Sequence, residues 1–132
     1  IGTHRRHKVH SGSVADSVSS SVVHNAEDVQ ATVIVALTET GSTPRMIARY
    51  KPQQPIITLT PNDHVMRQLL LVYGCYPIKI KPFQYIAKII PTVNALLKKE
   101  GVVAIGDHIV VSAGVPFGGA GSTNMLMVLT VQ

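Results

Sequence analysis

Six consecutive residues, Thr38-Glu39-Thr40-Gly41-Ser42-Thr43, place four hydroxyl groups around one glycine, and Pro44 follows. Hydroxyls and backbone amides that converge on a turn can surround a phosphate oxygen, and a glycine lets the backbone come close to it. A second stretch of small residues, Gly118-Gly119-Ala120-Gly121, lies in the loop 114–122. The plainer alternative is a strand-to-helix turn closed by a Ser/Thr cap, which is the commoner use of such residues. Both readings stand on these residues alone.

Catalysis needs more than hydroxyls, and the usual arrangements are missing. Neither glycine-containing loop has the GxGxxG or Walker A spacing, and there is no GxSxG elbow. Cys75 is the only cysteine, so no Cys-based nucleophile or internal disulfide is supported, and it fits a small buried residue better. The seven carboxylates, Asp16, Glu27, Asp28, Glu39, Asp63, Glu100 and Asp107, are scattered, and His24, His64 and His108 stand apart from them. His4, His7 and His10 share a spacing that could face a metal, but no thiolate or carboxylate accompanies them. Nothing assembles a nucleophile, a base and an orienting group, so the expectation is a binding or assembly domain with no catalytic and no metal site.

The elements around the hydroxyl turn follow from periodicity. Val14, Val18, Val22, Ala26 and Val29 recur at three or four residues, one face of an amphipathic helix that begins after Ser13. The β-branched run at 32–37 is a buried strand, and Thr43-Pro44 predicts a helix start with Thr43 at the N-cap and Pro44 at N1, running to about Tyr50. Pro52 and Pro55 bracket the turn into a strand at 56–59. A helix over 63–73 then follows, capped by Asn62 or Thr60, with Val65, Leu69 and Val72 inward and Gly74 as its C′ residue. After a strand at 76–80, the spacing of Phe83, Ile86, Ile90, Val93 and Leu97 predicts helix over 82–100, kinked or split at Pro91. Strands at 108–113 and 124–131 end the chain, with the glycine-rich loop between them.

This order predicts a three-layer α/β/α fold with a mixed five-stranded sheet, mostly parallel, the last strand antiparallel at an edge. Both the turn 38–43 and the loop 114–122 leave carboxyl ends of strands, where ligands gather in such sheets, so the two are expected to face one site. The length of 132 residues fits one domain, 13–132, preceded by residues 1–12 as a tail, tag or linker remnant. Of the net charge of +5, Arg5, Arg6 and Lys8 supply three in that tail. With no Trp and few other aromatics among the remaining basic residues, nucleic acid is not the expected partner. No apolar segment reaches membrane-spanning length, and residues 1–12 lack the apolar core of a secretory signal, so a cytoplasmic protein is expected. Hydrophobic residues are 45% and charged residues only 14%, a composition that predicts surface patches covered by something else.

Several ordered blocks across residues 13–132 resemble the C-terminal domain of pyruvate kinases. They are Val33-Ile34-Val35-Ala36-Leu37-Thr38-Glu39-Thr40-Gly41-Ser42-Thr43, Ile47-Ala48-Arg49-Tyr50-Lys51-Pro52 and Pro55-Ile56-Ile57-Thr58-Leu59-Thr60-Pro61-Asn62. Arg67-Gln68-Leu69, Val72-Tyr73-Gly74-Cys75-Tyr76-Pro77, Gly106-Asp107-His108-Ile109-Val110-Val111-Ser112-Ala113-Gly114-Val115-Pro116 and Gly121-Ser122-Thr123-Asn124-Met125 continue the match. The resemblance implies a regulatory and assembly domain of an enzyme that transfers a phosphoryl group from phosphoenolpyruvate to ADP, the last step of glycolysis. Mg2+ and K+ would belong to a catalytic barrel absent from this chain, so no catalytic residue and no cofactor is carried over. The implied partners are that barrel, sister subunits of a homotetramer, and a phosphorylated sugar effector. In members regulated by fructose 1,6-bisphosphate, the loop matching 38–43 holds one phosphate. The effector residues implied here are therefore Thr38, Thr40, Gly41, Ser42 and Thr43, with Gly118, Gly119, Ala120 and Gly121 opposite.

Two departures bear on that site. The family loop often carries arginine where this chain has Ser42, and eukaryotic regulated members hold the second phosphate with a tryptophan and an arginine in the region matching 83–99. Here the only cations in that region are Lys88, Lys98 and Lys99. A lost charge-assisted contact costs about 1.5–3 kcal/mol, roughly one to two decades in affinity, which points to weaker bisphosphate binding or to a monophosphate. The alternative from another class is a stand-alone, non-catalytic domain that binds a phosphometabolite or a protein partner.

Overall fold

The computed structural model describes residues 13–83, 85–114 and 123–132. Helix α1 spans Val14–Asp28, and the Ser13 side chain caps it by accepting from the Asp16 amide at 3.0 Å. Strand β1 (Val33–Leu37) leads to helix α2 (Ser42–Ala48), β2 (Ile56–Thr60) to α3 (Asp63–Leu69), and β3 (Cys75–Lys79) to α4 (Ile86–Lys99); β4 (His108–Ala113) and β5 (Met125–Thr130) follow. The five strands lie in the order β3-β2-β1-β4-β5, parallel except for the antiparallel β4–β5 pair. This is the mixed sheet that the alternation of elements predicts, with the last strand at the edge.

Every residue of β1 and β2 is buried, because the sheet is covered on both faces. Val33, Val35 and Leu37 of β1 pack with Ile109 and Val111 of β4 under Ile89, Val93 and Leu97 of α4. The alternate residues Ile34 and Ala36 meet Val22 and Ala26 of α1 and Ile47 of α2 on the other face. Burying each such aliphatic side chain contributes about 1.5–3 kcal/mol. Helix α3 packs on β2 and β3. β1 thus reaches β2 on one side through α2, while its other neighbour, β4, is reached only after α4 has crossed the opposite face. Strand order reverses between β1 and β4, and the carboxyl ends of strands at such a reversal are where ligands bind in sheets of this kind.

Several boundaries differ from the expectation. α2 starts two residues earlier: Gly41 is its N-cap, at φ +91°, which puts Thr43 at N2 and Pro44 at N3. Proline is tolerated throughout a first turn, whose amides lack intrahelical acceptors, so its presence does not fix which residue comes first. α3 stops at Leu69; the chain then tightens, with Leu71 donating to Gln68 O at 3.3 Å and Val72 to Leu69 O at 3.1 Å, and Leu70 and Leu71 lie exposed. α4 begins at Ile86 and runs unbroken through Pro91. Pro91 cannot donate to the Ala87 carbonyl, but both residues are exposed, so that carbonyl is open to solvent. Val14, counted on the apolar face of α1, is solvent-exposed in the first turn.

Candidate functional site

The turn after β1 is built by its own hydroxyls. Thr38 continues the ladder, donating its amide to Leu59 O at 3.0 Å, and its Oγ1 then accepts from the Gly41 amide at 2.8 Å. Thr40 Oγ1 accepts from the Ser42 amide at 3.3 Å. Gly41 is favoured by its backbone: its φ of +91° lies in the left-handed region, which strains any residue that carries a Cβ.

Thr43 Oγ1 lies 2.8 Å from Thr123 Oγ1, a buried hydroxyl pair joining residues 80 apart in sequence. Thr123 immediately precedes the segment where Asn124 donates to Ala113 O at 3.1 Å and β5 begins. The turn after β1 and the end of the loop after β4 therefore meet at the switch point of the sheet. Their burial makes the pair structural: Thr43 is 1% and Thr123 0% exposed.

The expected site residues divide accordingly. Thr38 and Thr43 are buried and shape the turn, Gly41 supplies its backbone geometry, Thr40 is exposed and Ser42 half-buried. The hydroxyls open to a ligand are those of Thr40 and Ser42, and the Thr43 amide makes no hydrogen bond among the described residues. α2 is only seven residues long, so its dipole adds little. Gly118, Gly119, Ala120 and Gly121 lie outside the described residues. Thr123 and Arg45, which sequence reasoning did not single out as site residues, border the turn; Thr123 was visible only as part of the block 121–125.

Beside the turn, Glu39, Asn62, Asp63, His64, Arg67 and Pro82 line an open concavity of about 600 Å³. Two carboxylates there oppose an anion, so the hydroxyl side of the turn is the better phosphate contact. Each described histidine has a side-chain partner: His24 Nε2 meets Asp28 at 3.3 Å, His64 Nε2 in that concavity meets the Gln68 side-chain amide nitrogen at 3.2 Å, and His108 Nδ1 meets Thr130 Oγ1 at 3.1 Å. Burial pushes the Cys75 thiol up from its ordinary value, with Thr58 and Arg45 pulling weakly the other way. Among the described residues no group of three or more His, Cys, Asp or Glu side chains could hold a metal ion. Nor is any described helix long and apolar enough to cross a membrane. Among the described residues the turn offers hydroxyls and an amide and no hydroxyl hydrogen-bonded to a histidine or carboxylate of the turn.

The fold is a three-layer α/β domain whose mixed sheet changes strand order between β1 and β4. The family described as "Pyruvate kinase, alpha/beta domain" matches residues 16–129, and this chain belongs to it. A pyruvate kinase of Staphylococcus haemolyticus is 39% identical over 121 residues, which are 92% of this chain and 21% of that protein. One of Geobacillus stearothermophilus is 36% identical over 128 residues, 97% of this chain and 22% of that protein. The crystal structure of a Cryptosporidium parvum pyruvate kinase superposes with a TM-score of 0.82 at 29% identity, covering 96% of this chain and 25% of that one. The chain thus spans about a fifth to a quarter of the length of the relatives it matches.

Proposed function

We propose that this chain is the C-terminal regulatory and assembly domain of a cytoplasmic pyruvate kinase, and that the turn 38–43 receives a phosphate of a phosphorylated sugar. The full-length enzyme transfers a phosphoryl group from phosphoenolpyruvate to ADP on a barrel outside this chain, which carries Mg2+ and K+. The Thr43–Thr123 hydroxyl pair carries the effector reading: it ties the turn after β1 to the end of the loop after β4, so a ligand at the carboxyl ends of β1 and β4 touches both. Thr40 and Ser42 supply hydroxyls and Thr43 an amide, while Gly118, Gly119, Ala120 and Gly121 complete the pocket in this reading.

An effector held there acts by population shift: it binds one arrangement of the homotetramer better, and the barrel responds to the change in that equilibrium. The assembly role is supported by the apolar surface at Leu70, Leu71, Tyr73 and Tyr76, all exposed, of the kind that the rest of a larger protein covers. The test is phosphoenolpyruvate saturation of the full-length enzyme with and without fructose 1,6-bisphosphate, glucose 6-phosphate and ribose 5-phosphate. One of them is expected to raise the affinity for phosphoenolpyruvate, and Thr40→Ala with Ser42→Ala to raise the effector concentration needed at least tenfold. An effector that binds this domain without changing phosphoenolpyruvate affinity or turnover would overturn the regulatory reading.

A further inference from the structure

The open concavity of about 600 Å³ beside the turn 38–43 is lined by charges of both signs, and the structure neutralises only some of them. Asp63, at the start of α3, is held by Lys79, whose Nζ lies 3.0 Å from Oδ1 and 3.2 Å from Oδ2. His64 is occupied by the Gln68 side chain. Arg67 is exposed and meets no carboxylate among the described residues, but it stands one turn further along α3. Glu39 belongs to the turn itself, between Thr38 and Thr40; it too is exposed, and it pairs with no cation among the described residues. A carboxylate without a counter-ion therefore adjoins the hydroxyls of the turn.

A phosphate-binding turn with a free carboxylate at its flank constrains the rest of its ligand. Thr40 Oγ1 accepts from the Ser42 amide at 3.3 Å, which leaves the hydroxyl proton to give to a phosphate oxygen. A second anionic group turned into the concavity would face Glu39 and be repelled, and a hydroxyl would gain no charge interaction there. An ammonium would meet an opposite charge. Neighbouring Cα atoms are about 3.8 Å apart, so a body the size of one sugar ring reaches from Thr40 to the Glu39 carboxylate. Resting on the phosphate reading of the turn, we propose that its ligand is a phosphate monoester that also carries a primary ammonium, an amino-sugar phosphate in class. The phosphate lies on Thr40 and Ser42 and the ammonium at Glu39. Glu39 is then the residue that sets which phosphorylated sugar the turn prefers.

The probes are glucosamine 6-phosphate, glucose 6-phosphate and N-acetylglucosamine 6-phosphate, which differ only in the group at C2. Each is titrated at neutral pH and low salt into the full 132-residue chain, with amide chemical shifts as readout. All three are expected to shift Thr40, Gly41, Ser42 and Thr43, and glucosamine 6-phosphate alone to shift Glu39, Asn62 and Asp63 as well. It is expected to bind about three- to fivefold more tightly than glucose 6-phosphate, the range of an exposed charge pair. In 1 M salt, where the Debye length is about 3 Å, the two come within about twofold. Glu39→Gln, at an exposed position, removes the preference by weakening glucosamine 6-phosphate, while glucose 6-phosphate binds as tightly or more so and the spectrum stays dispersed. Thr40→Ala with Ser42→Ala weakens all three alike and so reports on the phosphate contact. Equal binding of glucosamine 6-phosphate and glucose 6-phosphate by the unaltered chain, or a preference that survives Glu39→Gln, would overturn the proposal and leave the phosphate site standing. No shift at 38–43 with any of the three would overturn both.

Discussion

A hydroxyl pair buried between two loops is costly to break on one side only. Thr43→Val keeps the shape of the side chain but leaves Thr123 Oγ1 without its 2.8 Å partner at full burial. The expected loss of stability is about 1–3 kcal/mol, read from the midpoint of denaturant unfolding. The double variant Thr43→Val, Thr123→Val is expected to recover part of that loss, since two apolar partners leave no orphaned group. A loss in the double variant equal to the sum of the two single losses would show that the two hydroxyls do not depend on each other. The same chemistry explains why the turn misled a reading by residue type. Four hydroxyls look alike in sequence, yet Thr38 and Thr43 are consumed inside the protein and only Thr40 and Ser42 face outward. Burial, which decides between them, depends on a contact 80 residues away.

The elements test their own logic. Pro91 sits in an exposed position inside α4, where it removes one helical hydrogen bond without interrupting the helix. Pro91→Ala is therefore expected to raise stability by about 1–2 kcal/mol, the restored bond outweighing the greater freedom of the unfolded chain; a fall would mean that the ring packs against something. α1 is pinned to the segment after α2 by the Tyr50 hydroxyl, which donates to the Asp16 carboxylate, and that bond raises the Tyr50 pKa above its ordinary 10.0. A pKa raised on folding adds stability that is present below the unfolded value and lost as pH climbs through the folded one. Burial of Cys75 acts in the same direction from its ordinary 9.0. Stability is thus expected to fall above pH ~9–10, and Tyr50→Phe to flatten the upper part of that fall. α1 was legible because burial of one face imposes a period of 3.6 on the sequence, and β1 because burial on both faces makes it a continuous apolar, β-branched run. The ends of α3 and α4 were not: Leu70, Leu71 and Val72 continue an apolar run that the chain leaves partly exposed, and Pro82 and Phe83 belong to the approach to α4, outside the helix.

At the scale of the molecule, the sheet order β3-β2-β1-β4-β5 places the carboxyl ends of β1 and β4 side by side, and the functional reading depends on that adjacency. Alternation of strands and helices was enough to predict the parallel core and the antiparallel edge. It could not show that Thr43 touches Thr123, because that contact is a product of how α4 crosses the sheet. The central claim is that the carboxyl ends of β1 and β4 hold a phosphate site. Its most direct test is an amide NMR titration of this chain, at low salt, with fructose 1,6-bisphosphate, glucose 6-phosphate and ribose 5-phosphate in turn. Saturable shifts at Thr40, Gly41, Ser42, Thr43 and Thr123 with at least one of these ligands, abolished by Thr40→Ala with Ser42→Ala, are the predicted result. A well-dispersed spectrum in which none of the three moves those residues would contradict it.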